Sequence, residues 1–91
     1  ARRMESVTRR LLDQLATARA AATFFVVGEI ARTHPRLIRD IAAAGHEVAA
    51  HGWDHRRIHR LTPGEFLDDV RRCKDELEQA AGRPVVGYRA P

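Results

Sequence analysis

Apolar and polar positions alternate along the chain in two different periods. Met4, Val7, Leu11, Leu12 and Leu15 recur at helical spacing with Arg and Asp between them, which predicts an amphipathic helix over roughly residues 2–18. Ala20-Ala21-Ala22-Thr23-Phe24-Phe25-Val26-Val27 then runs apolar without a break and closes with Gly28. A short apolar run ending in β-branched and aromatic residues predicts a strand buried on both faces, as in parallel sheets covered by helices. Ile30 and Ala31 fit one or two helical turns that stop before His34-Pro35. Pro35 suits the first turn of a new helix, Leu37, Ile38, Ile41 and Ala42 form its stripe, and Gly45 caps its end.

The second predicted strand is His46 to Ala50. Thr62-Pro63-Gly64-Glu65 reads as a capping box, with Thr at the N-cap, Pro at N1 and Glu at N3. Phe66, Val70, Cys73, Leu77 and Ala81 continue as one face of a helix ended by Gly82 and Pro84. Val85-Val86-Gly87-Tyr88 then predicts a third short strand before Arg89-Ala90-Pro91. The order α-β-α-β-α-β implies an α/β fold of parallel βαβ units. Three strands do not close a barrel of about 250 residues. The chain is either a small open three-layer unit or part of a larger α/β barrel, and its stop at a strand end favours the part.

Composition narrows the function classes. Apolar residues make up 44% of 91, ordinary for a single soluble domain. No stretch approaches the ~20 apolar residues of a membrane span, and the N-terminus has no signal-peptide core. A net charge of +4 raises the question of nucleic acid. The cations are almost all Arg and lie among acids along the helices, without interleaved exposed aromatics, so they read as a solvated surface and no nucleic-acid partner is expected. Cys73, the one cysteine, falls on an apolar helix face and reads as an inert core thiol.

The chemistry concentrates in His51-Gly52-Trp53-Asp54-His55, where the second strand runs out into a loop. Strand ends are where α/β folds place catalytic groups. Two imidazoles separated by three residues can meet one metal ion, and neutral imidazole suits Zn, Cu, Fe and Ni. The same pair also fits a hydrogen-bonded His at a strand end followed by an exposed loop His. His34, before Pro35, reads as a helix cap, His46 as a strand start and His59 as part of an Arg-rich loop.

Four motifs decide between these readings: Ala22-Thr-Phe-Phe-Val-Val-Gly28, Ala43-Ala-Gly-His-Glu-Val48, His51-Gly-Trp-Asp-His55 and Gly87-Tyr-Arg-Ala-Pro91. In that order they resemble the polysaccharide deacetylases of carbohydrate esterase family 4, and the last two look most like the exosortase-associated subgroup of bacterial exopolysaccharide synthesis. The resemblance runs from about Val7 to Pro91. It implies that residues 1–91 are a partial deacetylase domain, an incomplete piece of a distorted (β/α) barrel. It implies removal of N-acetyl groups from a polysaccharide or oligosaccharide by a divalent metal, Zn first, with Co, Ni or Mn as alternatives. By resemblance, His51 and His55 are metal ligands, Arg89 holds a catalytic aspartate in place, and Pro91 walls the substrate groove. Trp53 is read as packing, with a sugar contact as the alternative.

The resemblance also has gaps. The family's base Asp and Asp ligand precede its first helix, and its His acid follows well beyond the last motif matched here. Gly52 stands where much of the family has Ser or Thr. Neither Asp54, next to His55 and expected to point elsewhere, nor Glu47 reads as a substitute carboxylate. Two other readings stay open: a non-catalytic α/β module binding an acidic polymer or surface, and an amidase-type relative of the same barrel that dispenses with metal. Exposed edges on a three-stranded unit imply self-association. The 91 residues alone are expected to release no acetate from an N-acetylated oligosaccharide, as an acetate assay would show.

Overall fold

A parallel strand pair has to be joined by a crossover that covers one of its faces. In the computed structural model, which describes residues 2–54 and 61–89, two helices supply that crossover. Strand β1 (Thr23–Val26) is followed by α2 (Gly28–Thr33) and α3 (Pro35–Ala43), then by β2 (Glu47–Ala50). Helix α1 (Arg2–Ala18) precedes β1, and α4 (Pro63–Ala81) follows the loop after β2. The strands pair in parallel with Thr23 opposite Glu47 and Val26 opposite Ala50. This is the predicted α/β organisation.

Each helix ends for a local reason. At α4, Thr62 Oγ1 accepts from the Glu65 N–H at 3.1 Å and the Thr62 N–H donates to Glu65 Oε1 at 2.8 Å, the capping box expected from sequence. Its other end turns through Gly82 at φ 74°. Helix α3 closes on Ala44, and Gly45 follows at φ 92°. The Gly45 N–H then donates to Ala42 and the His46 N–H to Ile41, which satisfies carbonyls that a helix end leaves orphaned. His46 is 4% exposed, and its Nδ1 accepts from the Ala22 N–H at 3.1 Å. It is a structural residue that ties the start of β2 to β1. His34 occupies the N-cap of α3, but no side-chain cap bond forms, contrary to the capping expectation. Its Nδ1 instead lies 2.8 Å from Thr33 Oγ1.

The core lies between α3, α4 and one face of the strands. Leu37, Ile38, Ile41, Cys73 and Leu77 are its largest fully buried side chains. Cys73 is buried in the core, as expected, and burial pushes its thiol pKa up. Among the described residues no helix is long and apolar enough to cross a membrane.

Two strand predictions need correction. The run from Ala20 to Val27 forms a strand only over Thr23–Val26, and that strand is not buried on both faces. Phe24 and Val26 pack on the core, while alternation turns Thr23 and Phe25 to the other face, where Phe25 is 44% exposed. The third strand reduces to one parallel bridge between Ala50 and Tyr88. Pro84 has no N–H to offer, and the Val85 N–H is taken by Glu78 Oε2 at 2.8 Å, so pairing begins only at Gly87.

Leu77→Ala is expected to destabilise the fold by about 2–5 kcal/mol, read from urea unfolding. The Val85 N–H and then Lys74 hold the Glu78 carboxyl below its ordinary value of 4.5. A lowered folded-state pKa gives stability that is full above the ordinary value and lost as pH falls through the folded one. Unfolding curves across the acid range should therefore show less acid sensitivity in Glu78→Gln than in the parent chain.

Candidate functional site

The site grows out of the end of β2. The Ala50 N–H donates to the Gly87 carbonyl at 2.7 Å, and its own carbonyl accepts from the Arg89 N–H at 2.8 Å. On the other side the His51 N–H donates to the Val26 carbonyl at 3.0 Å. His51 is thus gripped by backbone from both flanks. Its Nδ1 lies 2.8 Å from the Arg89 carbonyl oxygen. A carbonyl can only accept, so Nδ1 carries the proton, and in the neutral ring Nε2 holds the lone pair. Anchoring one ring nitrogen on a carbonyl while the other carries the lone pair is the arrangement of a metal-ligating His.

The loop after His51 is clamped by both neighbouring helices. Helix α2 begins with N–H groups that have no partner within the helix. Two of them find loop carbonyls: Gly28 donates to Gly52 and Glu29 to Trp53, each at 2.9 Å. Gly52 sits at φ 79°, in the left-handed region that favours glycine, which accounts for glycine at this position. From the far side, Asp69 Oδ2 of α4 accepts the Trp53 N–H at 3.1 Å. Trp53 is 5% exposed; its ring packs against Gly28, and the Arg72 guanidinium Cζ lies 3.5 Å from the ring centroid. Packing is therefore its role, and a sugar ring has no access to it.

Of the predicted site residues, the structure brings together His51 and Arg89. The link is the Arg89 main chain; its guanidinium is exposed and lies 5.8 Å from the Phe25 ring centroid. His55, Pro91 and His59 lie outside the described residues. Asp54 lines the same cleft of about 490 Å³ as His51. The other walls of the cleft include Met4 and Thr8 of α1, Phe25 of β1 and Ile38 of α3. Glu47 sits at the opposite end of β2, bonded to Thr23 Oγ1 at 3.0 Å. Among the described residues no three His, Cys, Asp or Glu side chains cluster as a metal site; of the two His expected as ligands, His51 is the one described. Its donor chemistry fits a divalent ion. Sequence reasoning missed Asp69, Arg72 and the Arg89 carbonyl.

Comparisons with known proteins agree with this geometry. Residues 3–91 match the family model described as polysaccharide deacetylase. The chain is 38% identical over 82 residues to a chitooligosaccharide deacetylase of Bradyrhizobium, covering 89% of this chain and 37% of that protein. It is 29% identical over 84 residues to a peptidoglycan-N-acetylglucosamine deacetylase of Bacillus cereus, covering 92% of this chain and 30% of that protein. Among solved structures, peptidoglycan deacetylase PdaC of Bacillus subtilis matches with a TM-score of 0.90 at 30% identity, over 94% of this chain and 43% of that one. A family 4 carbohydrate esterase pseudoenzyme of Bacillus anthracis matches with a TM-score of 0.91 at 25% identity, over 96% and 31%. The chain thus spans roughly a third of the length of these two curated relatives.

A Cβ added at Gly28 would lie 2.5 Å from Trp53 Cε3 and 3.1 Å from the Cys73 Cα. Gly28→Ala is therefore expected to displace the ring and to cost about 1–3 kcal/mol. Trp53 is the only tryptophan of this chain, so its emission should shift towards that of a water-exposed indole while the helical circular dichroism is retained.

Proposed function

Because this chain belongs to the polysaccharide deacetylase family, we propose that it contributes the His-bearing wall of a metal-dependent site that removes N-acetyl groups from a glycan. Support comes from the family match and, within the chain, from one observation: the Arg89 carbonyl accepts a hydrogen bond from His51 Nδ1–H, so that in the neutral ring Nε2 carries the lone pair. His51 and His55 would hold the ion, Zn first and Co, Ni or Mn as alternatives, since imidazole serves all of them. When bound, such an ion supplies Lewis acidity towards an acetamide oxygen and lowers the pKa of water.

The remaining roles fall to this chain's own groups. The Arg89 main chain fixes the His51 ring, and its exposed guanidinium places a permanent positive charge at the same strand end, able to orient a carboxylate and keep it ionised. Pro91, two residues on, is proposed as groove wall. The relatives' names point to glycans containing N-acetylglucosamine, of the chitooligosaccharide or peptidoglycan kind, as the substrate class.

Fold likeness alone does not carry the activity, because the Bacillus anthracis pseudoenzyme superposes as closely as the Bacillus subtilis deacetylase. That neighbour is the observation favouring the second reading, a non-catalytic module of the same fold. Metal analysis separates the two. The full-length protein is expected to hold one divalent ion at neutral pH and to release acetate from an N-acetylated chitooligosaccharide. His51→Ala should weaken metal binding by at least ~100-fold, the upper end of the losses seen on removing a ligand's supporting partner, and abolish turnover with it. Failure of the unsubstituted protein to bind a divalent ion sinks the metal reading. Full activity in His51→Ala would point to the metal-free amidase branch.

A further inference from the structure

We propose that Asp69 and Arg72 of α4 are positioning residues that set the metal affinity of the loop beginning at His51. The inference rests on the metal reading above and adds to it the part of the chain that holds the loop in register. The two side chains lie three residues apart on one helix and take hold of the same residue in different ways. Asp69, half-buried, accepts the Trp53 N–H at 3.1 Å. Arg72 places its guanidinium 3.5 Å from the centre of the Trp53 ring.

Geometry makes this grip effective. Trp53 is two residues from His51, is 5% exposed, and has its six-membered ring packed closely against Gly28. The carbonyls of Gly52 and Trp53 are already bound to the start of α2. With their carbonyls held from one helix and the Trp53 N–H and ring held from the other, Gly52 and Trp53 are fixed directly after His51. Removing the α4 half leaves a buried N–H without its carboxylate and an aromatic face without its cation. Both losses loosen the backbone that follows His51. A carboxylate acceptor makes a stronger bond than a neutral one, so charge at position 69 matters as well as shape.

Zn²⁺ affinity of the full-length protein, measured by competition with a chromophoric chelator alongside the thermal midpoint of the metal-free form, tests this. Asp69→Leu is expected to lose roughly 10–100-fold in affinity. Asp69→Asn keeps an oxygen acceptor and should lose less, and Arg72→Ala should also weaken binding. Leu77→Ala, buried in the core away from the loop, should lower the thermal midpoint without lowering affinity. If Asp69→Leu does not fold, Asp69→Asn and Arg72→Ala carry the test. The inference is overturned if these variants bind Zn²⁺ as tightly as the parent, or if Leu77→Ala loses as much affinity at an equal drop in midpoint. Absence of binding in the parent protein strikes the metal reading itself and takes the inference with it.

Discussion

Everything at the site depends on the backbone pairing where β2 ends. Ala50 commits both its N–H and its carbonyl to the Gly87–Arg89 segment, and the next N–H, that of His51, commits to Val26. Buried backbone groups must find partners, so this one residue step stitches three segments together. The imidazole inherits its orientation from that stitching, since the carbonyl it meets belongs to the same Arg89 that pairs with Ala50. A change in register by one residue would turn His51 to the opposite face and remove the bond that selects its tautomer.

The rest of the architecture serves to make that step rigid. Leu37, Ile38 and Ile41 of α3 and Cys73 and Leu77 of α4 form the buried mass on which β2 rests. Helix α4 has a second duty, because the same helix that buries Leu77 on one side presents Asp69 and Arg72 to the loop on another. Stability and loop placement are thus functions of separate residues on a single element. Helix α1 is joined more lightly: Met4 and Leu12 reach the core and Arg9 pairs with Asp40 at 2.9 Å, yet Val7 and Leu11 remain exposed.

Periodicity and caps were readable in the sequence, and long-range partners were not. The amphipathic stripe from Met4 to Leu15 marks α1, and Thr62, Pro63 and Glu65 mark the start of α4, because helix ends are written in side chains close by. His51 at a strand terminus was legible for the same reason. The length and burial of β1 were not, since an apolar run does not say whether both faces are covered. Val85 to Tyr88 carries strand-forming residues, but Glu78, seven positions earlier, takes the Val85 N–H. Asp69 looked like one more acid on a solvated helix face, and its meeting with Trp53, sixteen residues away, has no local signature. The Arg89 carbonyl left no trace at all, because every residue has one.

The contact between Gly28 and Trp53 ties the histories of two positions together. A methyl group at position 28 would meet both the ring and the α4 backbone, so it fits only if the indole at position 53 shifts. The two positions are therefore coupled: replacing the glycine costs less once the aromatic has given way to something smaller. A retained indole thus favours glycine at position 28 by steric crowding.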